Sequence, residues 1–279
     1  DEHFKIIWYK AKSTDVFPNV DIKGGVAVCY RDANYSFGKI GSFTAYPELN
    51  GIYRKVVANN ENFTPLSDII YPQNKFDLNI LYKEHPELKS RIGSNGNERR
   101  LTTSIFGLSE IFHVQKMQAE DIEMLGLIKN VREIRWINSS FIEDHPCLDK
   151  WKIIVPKSNG TGAIGEVLST PLIGEPLIGE PLIGYTQSFI GIGAFNEQIE
   201  AMAALKYVKS KFARTLLGIL KVTQDNSKET WRFVPLQDFT SKSDIDWSKS
   251  ILEIDQQLYT KYDLSEEEIF FIESMIKPM

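Results

Sequence analysis

The sequence predicts a mixed α/β chain of the α+β kind, and three observations carry that expectation. Short runs rich in β-branched and aromatic residues read as strands: FKIIWY (4–9), VAVCY (26–30), WKIIVP (151–156) and YTQSFIGIGAF (185–195). One long segment, EQIEAMAALKYVKSKFARTLLGILKV (197–222), places apolar residues at 202, 205, 208, 212, 216 and 219, a helical step with one buried face. Finally, 279 residues with 42% apolar and 25% charged content suit a soluble globular protein of two ordinary domains or one large one.

Taken in order, the first two strands are joined by STDVFPNVDIKGG, punctuated by Pro18 and the Gly24-Gly25 pair. FGKIGSFTAY (37–46) reads as a further extended segment. Pro47 then opens a helical pattern, PELNGIYRKVVA, at a position where proline is tolerated. A helix across FDLNILYKEHPELKSRI (76–92) should break or kink at Pro86. GLIKNVREIRWI (126–137) reads as a hairpin around Asn130. The helix at 197–222 is expected to be continuous and capped by Asn196, with Glu197 and Glu200 in its first turn. Two short helices close the chain near 248–262 and 266–276, the last with a Ser265/Glu268 capping box.

PLIGEPLIGEPLIG (171–184) repeats LIG three times at five-residue spacing. That is too short a unit for a solenoid, and the prolines at 171, 176 and 181 predict an irregular, extended surface loop.

No run of about 18 apolar residues occurs, so no membrane helix is expected. The acidic start, DEHFKIIWYKAK, is unlike a signal peptide, and a cytoplasmic location is the expectation. Cys29 and Cys147 belong to no C-x-x-C pair and read as two reduced, largely buried thiols. The net charge is −5, and the acidic excess sits in residues 240–279; the remainder is neutral. A neutral body is compatible with a basic face.

The chemical motifs are mostly negative. Gly160, Gly162 and Gly165 match G-x-G-x-x-G, yet prolines forbid the helix that should follow. A loop in which Lys157, Ser158 and Asn159 approach a phosphate or base edge fits better. Asp15, Asp21 and Lys23 match the Asp…Asp-x-Lys pattern of a magnesium-dependent nuclease, with a short separation between the carboxylates. His3, His85, His113 and His145 are scattered, with no i, i+4 pair. There is no Gly-x-Ser-x-Gly elbow and no Walker loop.

The segment SxDVFPNVDIKGGVAVCYRD (13–32) resembles the end of the catalytic domain in adenine-specific DNA methyltransferases of type II restriction–modification systems. VPKSNGTGAIGEVLSTPLIG, KFARTLLGILKVTQ, TWRFVPLQDF and DQQLYTKYDLSEEEIFFIESMI resemble the C-terminal half of methylase polypeptides from the bifunctional restriction/methylase group. The resemblance implies that residues 1–45 are the last strands of a doubly wound methyltransferase sheet. It implies a DNA target-recognition domain at 46–235 and a helical segment at 236–279. Phe17, in the Val-Phe-Pro turn, would stack on an extruded adenine. Arg99 and Arg100, in NGNERRLTTS, become candidates for DNA contact beside Lys157, Ser158 and Asn159.

Such enzymes also carry a glycine-rich loop for S-adenosylmethionine and an Asn/Asp-Pro-Pro-Tyr motif. Neither occurs in residues 1–279, and both are expected upstream. The resemblance thus implies a part that binds double-stranded DNA beside an upstream catalytic domain, uses no cofactor itself, and is inactive alone. The rival readings are the magnesium nuclease and a protein-interaction domain of the same complex.

Overall fold

The computed structural model describes the chain except residues 11–12, 21–24, 39–43, 45, 93–95, 159–163, 165–173 and 222. Its architecture is mixed α/β, with nine strands in three sheets among the described residues. Two compact units are present: Asp1–Asn60 with Leu264–Phe271, and Glu61–Asp263 with Ile272–Met279. Among the described residues no helix is long and apolar enough to cross a membrane.

In the first unit, β1 (Phe4–Lys10) pairs antiparallel with β2 (Val26–Arg31), from Phe4 opposite Arg31 to Lys10 opposite Val26. The aromatic and β-branched runs form strands where expected. Most of their side chains nevertheless stay exposed. Cys29 lies on this ribbon and is exposed, so only Cys147 is the buried thiol the sequence led one to expect of both. An alternating strand sends every second side chain to each face, and here neither face is fully covered.

The helix opened by Pro47 is α1 (Pro47–Tyr53), continued by a π-helical stretch over Arg54–Ala58. Glu268 reaches across to pair with Lys55 at 2.9 Å and passes close over Gly51, where a side chain would collide with it. Of the extended segment expected at 37–46, residues 39–43 and 45 lie outside the described residues.

The second unit starts with β3 (Ile70–Tyr71) and α2 (Leu78–Glu84). Asp77 caps α2, its carboxylate accepting from the N–H groups of Asn79 and Ile80. The helix ends one residue before His85, and Pro86 begins a separate 3-10 turn. Proline has no N–H to continue the ladder and disfavours helical geometry in the residue before it.

The expected hairpin is β4 (Asp121–Ile128) with β5 (Val131–Asn138), paired in register throughout. Its turn residues, Lys129 and Asn130, both have positive φ (49° and 65°), the backbone of the tight turns that join twisted strands.

β6 (Trp151–Pro156), β7 (Leu177–Gly179), β8 (Ile183–Tyr185) and β9 (Phe189–Phe195) complete two sheets. One runs β3-β9-β6-β7, all antiparallel; the other runs β5-β4-β8, with β4 and β8 parallel. Here the repeat departs from its expected loop. Its second copy is β7, and Ile183 and Gly184 of its third open β8; the two strands join different sheets. Pro176 stands directly before β7 and Pro181 two residues before β8, both outside the ladders, where no ladder N–H is needed. Leu182, with φ 66°, turns the chain between them. The first copy lies almost wholly outside the described residues.

The helix expected over 197–222 is two helices, α3 (Gln198–Lys209) and α4 (Lys211–Leu220). Ser210 between them is extended, and its Oγ accepts from the Ala213 N–H at 3.1 Å. Buried Asp255, on α5 (Ile251–Lys261), accepts from the Lys211 and Phe212 N–H groups at 3.1 and 2.9 Å. The start of α4 is thus satisfied from another helix, and apolar periodicity is blind to such a break.

Asn196 is not the cap of α3. The chain instead folds the Glu200 carboxylate back onto the N–H groups of Asn196 and Glu197. The last helix, α6 (Glu266–Met275), has the predicted box: Glu268 accepts from the Ser265 N–H, and Ser265 Oγ from the Glu268 N–H.

The core of the second unit includes one cluster around Phe76, Leu101, Ile122, Met124 and Ile137. Another, with Leu125, Ile154, Tyr185 and Phe189, joins the two sheets.

Candidate functional site

Three segments far apart in sequence meet along one edge of the second unit. The loop between β8 and β9 is the joint. Gln187 donates its backbone N–H to Leu101 O at 2.9 Å, and its side-chain amide to Thr103 Oγ1 at 3.5 Å. Thr103 Oγ1 lies 3.4 Å from Ser188 Oγ. Ser188 O accepts from the Lys157 N–H at 2.9 Å. Behind this edge, Lys157 O accepts from the Asn226 N–H at 2.7 Å, and Ser158 forms a bridge with Asp225. The segment that follows Arg99 and Arg100 is therefore tied, through Gln187 and Ser188, to Lys157 and Ser158. Asn159 and the three glycines of G-x-G-x-x-G lie outside the described residues. Ahead of them β6 ends at Pro156, and among the described residues the next regular element is β7.

The two arginines have different surroundings. Arg99 is anchored: its carbonyl accepts from the Phe76 N–H at 2.8 Å and its guanidinium pairs with Glu143. Arg100 is exposed, and among the described residues no carboxylate pairs with it. Thr103, Ser104 and Ser158 are exposed beside it in sequence or through the joint. The edge offers cationic and hydroxyl donors. Chemically it can hold anionic oxygens and hydrogen-bonding edges, and among the described residues it shows no nucleophile–base pair.

Phe17 belongs to the other unit. It sits in a tight turn: its N–H donates to Ser13 O at 2.7 Å, its carbonyl accepts from the Val20 N–H at 3.0 Å, and Ser13 Oγ donates to Val20 O at 2.8 Å. The ring is 48% exposed, so it is not a core phenylalanine. Of the nuclease pattern, Asp15 ends the 3-10 turn Ser13–Asp15 and is exposed. Asp21 and Lys23 lie outside the described residues.

One polar cluster escaped the sequence reading. Lys152, fully buried in β6, gives its ammonium to the carbonyls of Leu148, Lys150 and Glu180 at 3.2, 3.0 and 2.8 Å. Burial pulls its pKa down to about 8. Nearby, Cys147 Sγ lies 3.4 Å from both His145 Nδ1 and Tyr185 Oη. A Cys–His pair invites a nucleophile reading, and the electrostatics oppose it. Burial pushes the thiol up and the imidazole down, so both are held neutral. His145 Nε2 is 2.9 Å from Pro72 O, which makes it the protonated nitrogen and leaves Nδ1 as acceptor. Tyr185 Oη donates to Tyr71 O at 3.2 Å. The cluster stitches strands and loops together. Its one signal in the sequence was a lysine inside the apolar run WKIIVP.

No protein-family model matches this chain, and no curated protein sequence matches it.

Proposed function

We propose that this chain recognises double-stranded DNA within an adenine-specific DNA methyltransferase of a restriction–modification system. The observation that carries the reading is the edge where Arg100, Thr103, Ser188, Lys157 and Ser158 converge from three segments. The exposed Arg100, Thr103 and Ser158, with the half-buried Lys157 beside them, bring guanidinium, hydroxyl and ammonium donors to a hydrogen-bonded rim, which suits phosphate oxygens and base edges. The exposed ring of Phe17 on its turn supports a stacking role against an extruded base. The uncovered apolar faces of β1 and β2 support a place for that ribbon against a catalytic part. Methyl transfer from S-adenosylmethionine belongs to that part, because the donor loop and the Pro-Pro-Tyr motif are not in this sequence.

The test is a titration of a mixed-sequence duplex with the chain at several salt concentrations. Arg100→Ala is expected to weaken binding and reduce the log–log salt slope by about 0.9, the value for one phosphate contact. Arg99→Ala is expected to change the slope less, because Glu143 already neutralises that guanidinium. An unchanged slope in Arg100→Ala removes this edge from the interface. In a polypeptide that includes the catalytic part, Phe17→Ala should impair methylation more than duplex binding; equal loss of both removes the stacking role.

A further inference from the structure

The β4–β5 hairpin extends past the sheet that roots it. β8 pairs with β4 only at Glu123, Met124 and Leu125. Beyond that, Leu127 pairs with Arg132 and Ile128 with Val131, and the two strands have no further sheet neighbour among the described residues. The result is a short two-stranded arm. At ~3.4 Å per residue, the stretch past Leu125 spans about 10 Å; Leu127 at its base packs against the cluster of Leu125, Tyr185 and Phe189, and the exposed part is the tip, Lys129–Val131.

The root of this arm is rigid and adjoins the edge described above. Thr186 donates its N–H to Leu125 O at 2.9 Å, and the next residue, Gln187, bonds to Leu101. The Phe106 ring packs against Gly126 so closely that a β-carbon there would overlap it, and the Arg135 guanidinium lies 5.8 Å from the centre of that ring. Arg132 lies 5.9 Å from the centre of the Phe189 ring, which follows Ser188, and donates to Glu175 O.

The tip is polar and cationic. Lys129 and Asn130 are exposed, and both hold the left-handed backbone that glycine adopts with less strain. Val131 beside them is 60% exposed. The nearby acids are neutralised within the fold: Glu133 pairs with Arg135 at 3.0 Å, and Glu175 with Lys209 at 3.3 Å. A lysine, a carboxamide and a small apolar side chain on a two-stranded ribbon suit a DNA groove. The major groove is about 12 Å wide and 8.5 Å deep and admits such a ribbon. There an asparagine side chain pairs with adenine, an apolar group meets the thymine methyl, and a lysine reaches phosphate or guanine.

We propose that the β4–β5 arm enters the DNA major groove and that Asn130 reads a base there, with Lys129 on the adjoining phosphate. This rests on the DNA-binding reading and extends it from backbone contact to base readout.

The experiment uses the chain with a pool of duplexes carrying a randomised central stretch, and sequences the DNA retained. The variants are Asn130→Gly and Lys129→Gly, because glycine suits positive φ and leaves the turn intact; thermal melts check that. The wild type is expected to enrich a defined sequence. Asn130→Gly should retain total DNA to within about threefold while losing about tenfold discrimination at one or two adjacent positions. Lys129→Gly should weaken retention about evenly across sequences. If both variants enrich the same sequence as the wild type with equal retention, the arm stays outside the groove and the DNA reading stands. Retention with no sequence preference in any of the three proteins overturns the arm as a reading element. A wild-type chain that retains no duplex overturns the DNA reading, and the arm with it.

Discussion

The β1–β2 ribbon and the β4–β5 hairpin are both antiparallel pairs built from β-branched and aromatic residues, and their surroundings differ sharply. On β1 and β2, Ile7 is 59% exposed, Val28 48% and Tyr30 45%. Along β4, by contrast, Ile122, Met124 and Leu125 are buried, and Ile137 of β5 is fully buried. The second hairpin has a third strand, β8, beside it and a core cluster beneath one face. Strand propensity therefore sets the local backbone in both, while burial depends on what other parts of the chain supply. A two-stranded ribbon by itself gains little from folding in water, which makes the exposed one a natural contact surface.

The largest expected effect tests the covered hairpin. Ile137→Ala removes a fully buried side chain and should cost about 2–5 kcal/mol in a denaturant titration. A loss under ~1 kcal/mol would mean that this hairpin is as loosely supported as the ribbon.

The next effect separates the two units by pH. Burial raises the Asp255 carboxyl to about 6, against the backbone N–H groups of Phe212 and Lys211 that favour its charge. Its folded pKa is above the unfolded value of about 3.9. Its contribution to stability is therefore complete below pH ~4 and is lost as pH rises through about 6. Urea midpoints of the second unit should carry this slope, at most about 1.4 kcal/mol per pH unit, and Asp255→Asn should remove it. A variant with the same pH dependence as the wild type would place the titration elsewhere.

A smaller effect concerns the root of the arm. Gly126→Ala forces the Phe106 ring aside and should cost about 1–2 kcal/mol. A neutral result in thermal melts would show that the ring yields freely and that the arm is not clamped there. The smallest effect belongs to the ribbon. Ile7→Ala at an exposed position should stay within ~0.5 kcal/mol. A larger loss in the chain would mean that the ribbon already has a partner surface in solution.

Much of the backbone was legible from local signals. The hairpin around Asn130, the break at Pro86, the start at Pro47 and the Ser265/Glu268 box all rest on residues within a few positions of one another. The failures share a different feature. The break at Ser210 depends on Asp255, more than forty residues away. The PLIG copies became strands because β6 and β4 offered them edges. Cys29 was expected inside because free cysteines usually are, and its strand has uncovered faces.

The candidate site divides the same way. Arg99, Arg100, Lys157 and Ser158 could be singled out as residue types beside glycine-rich or polar loops. That Arg99 is tied up by Glu143 while Arg100 has no such partner among the described residues was not visible in the dipeptide. Neither was Gln187–Ser188, the joint that brings the two loops together.

The sequence alone determined the strand and helix tendencies, the hairpin around Asn130 and the absence of a methyl-donor loop from these residues, because each depends on neighbours along the chain. Tertiary structure alone decided which arginine is paired with a carboxylate, where the repeat divides between two sheets and how far the hairpin stands past its sheet. Those outcomes depend on hydrogen bonds and packing between residues that only folding brings together.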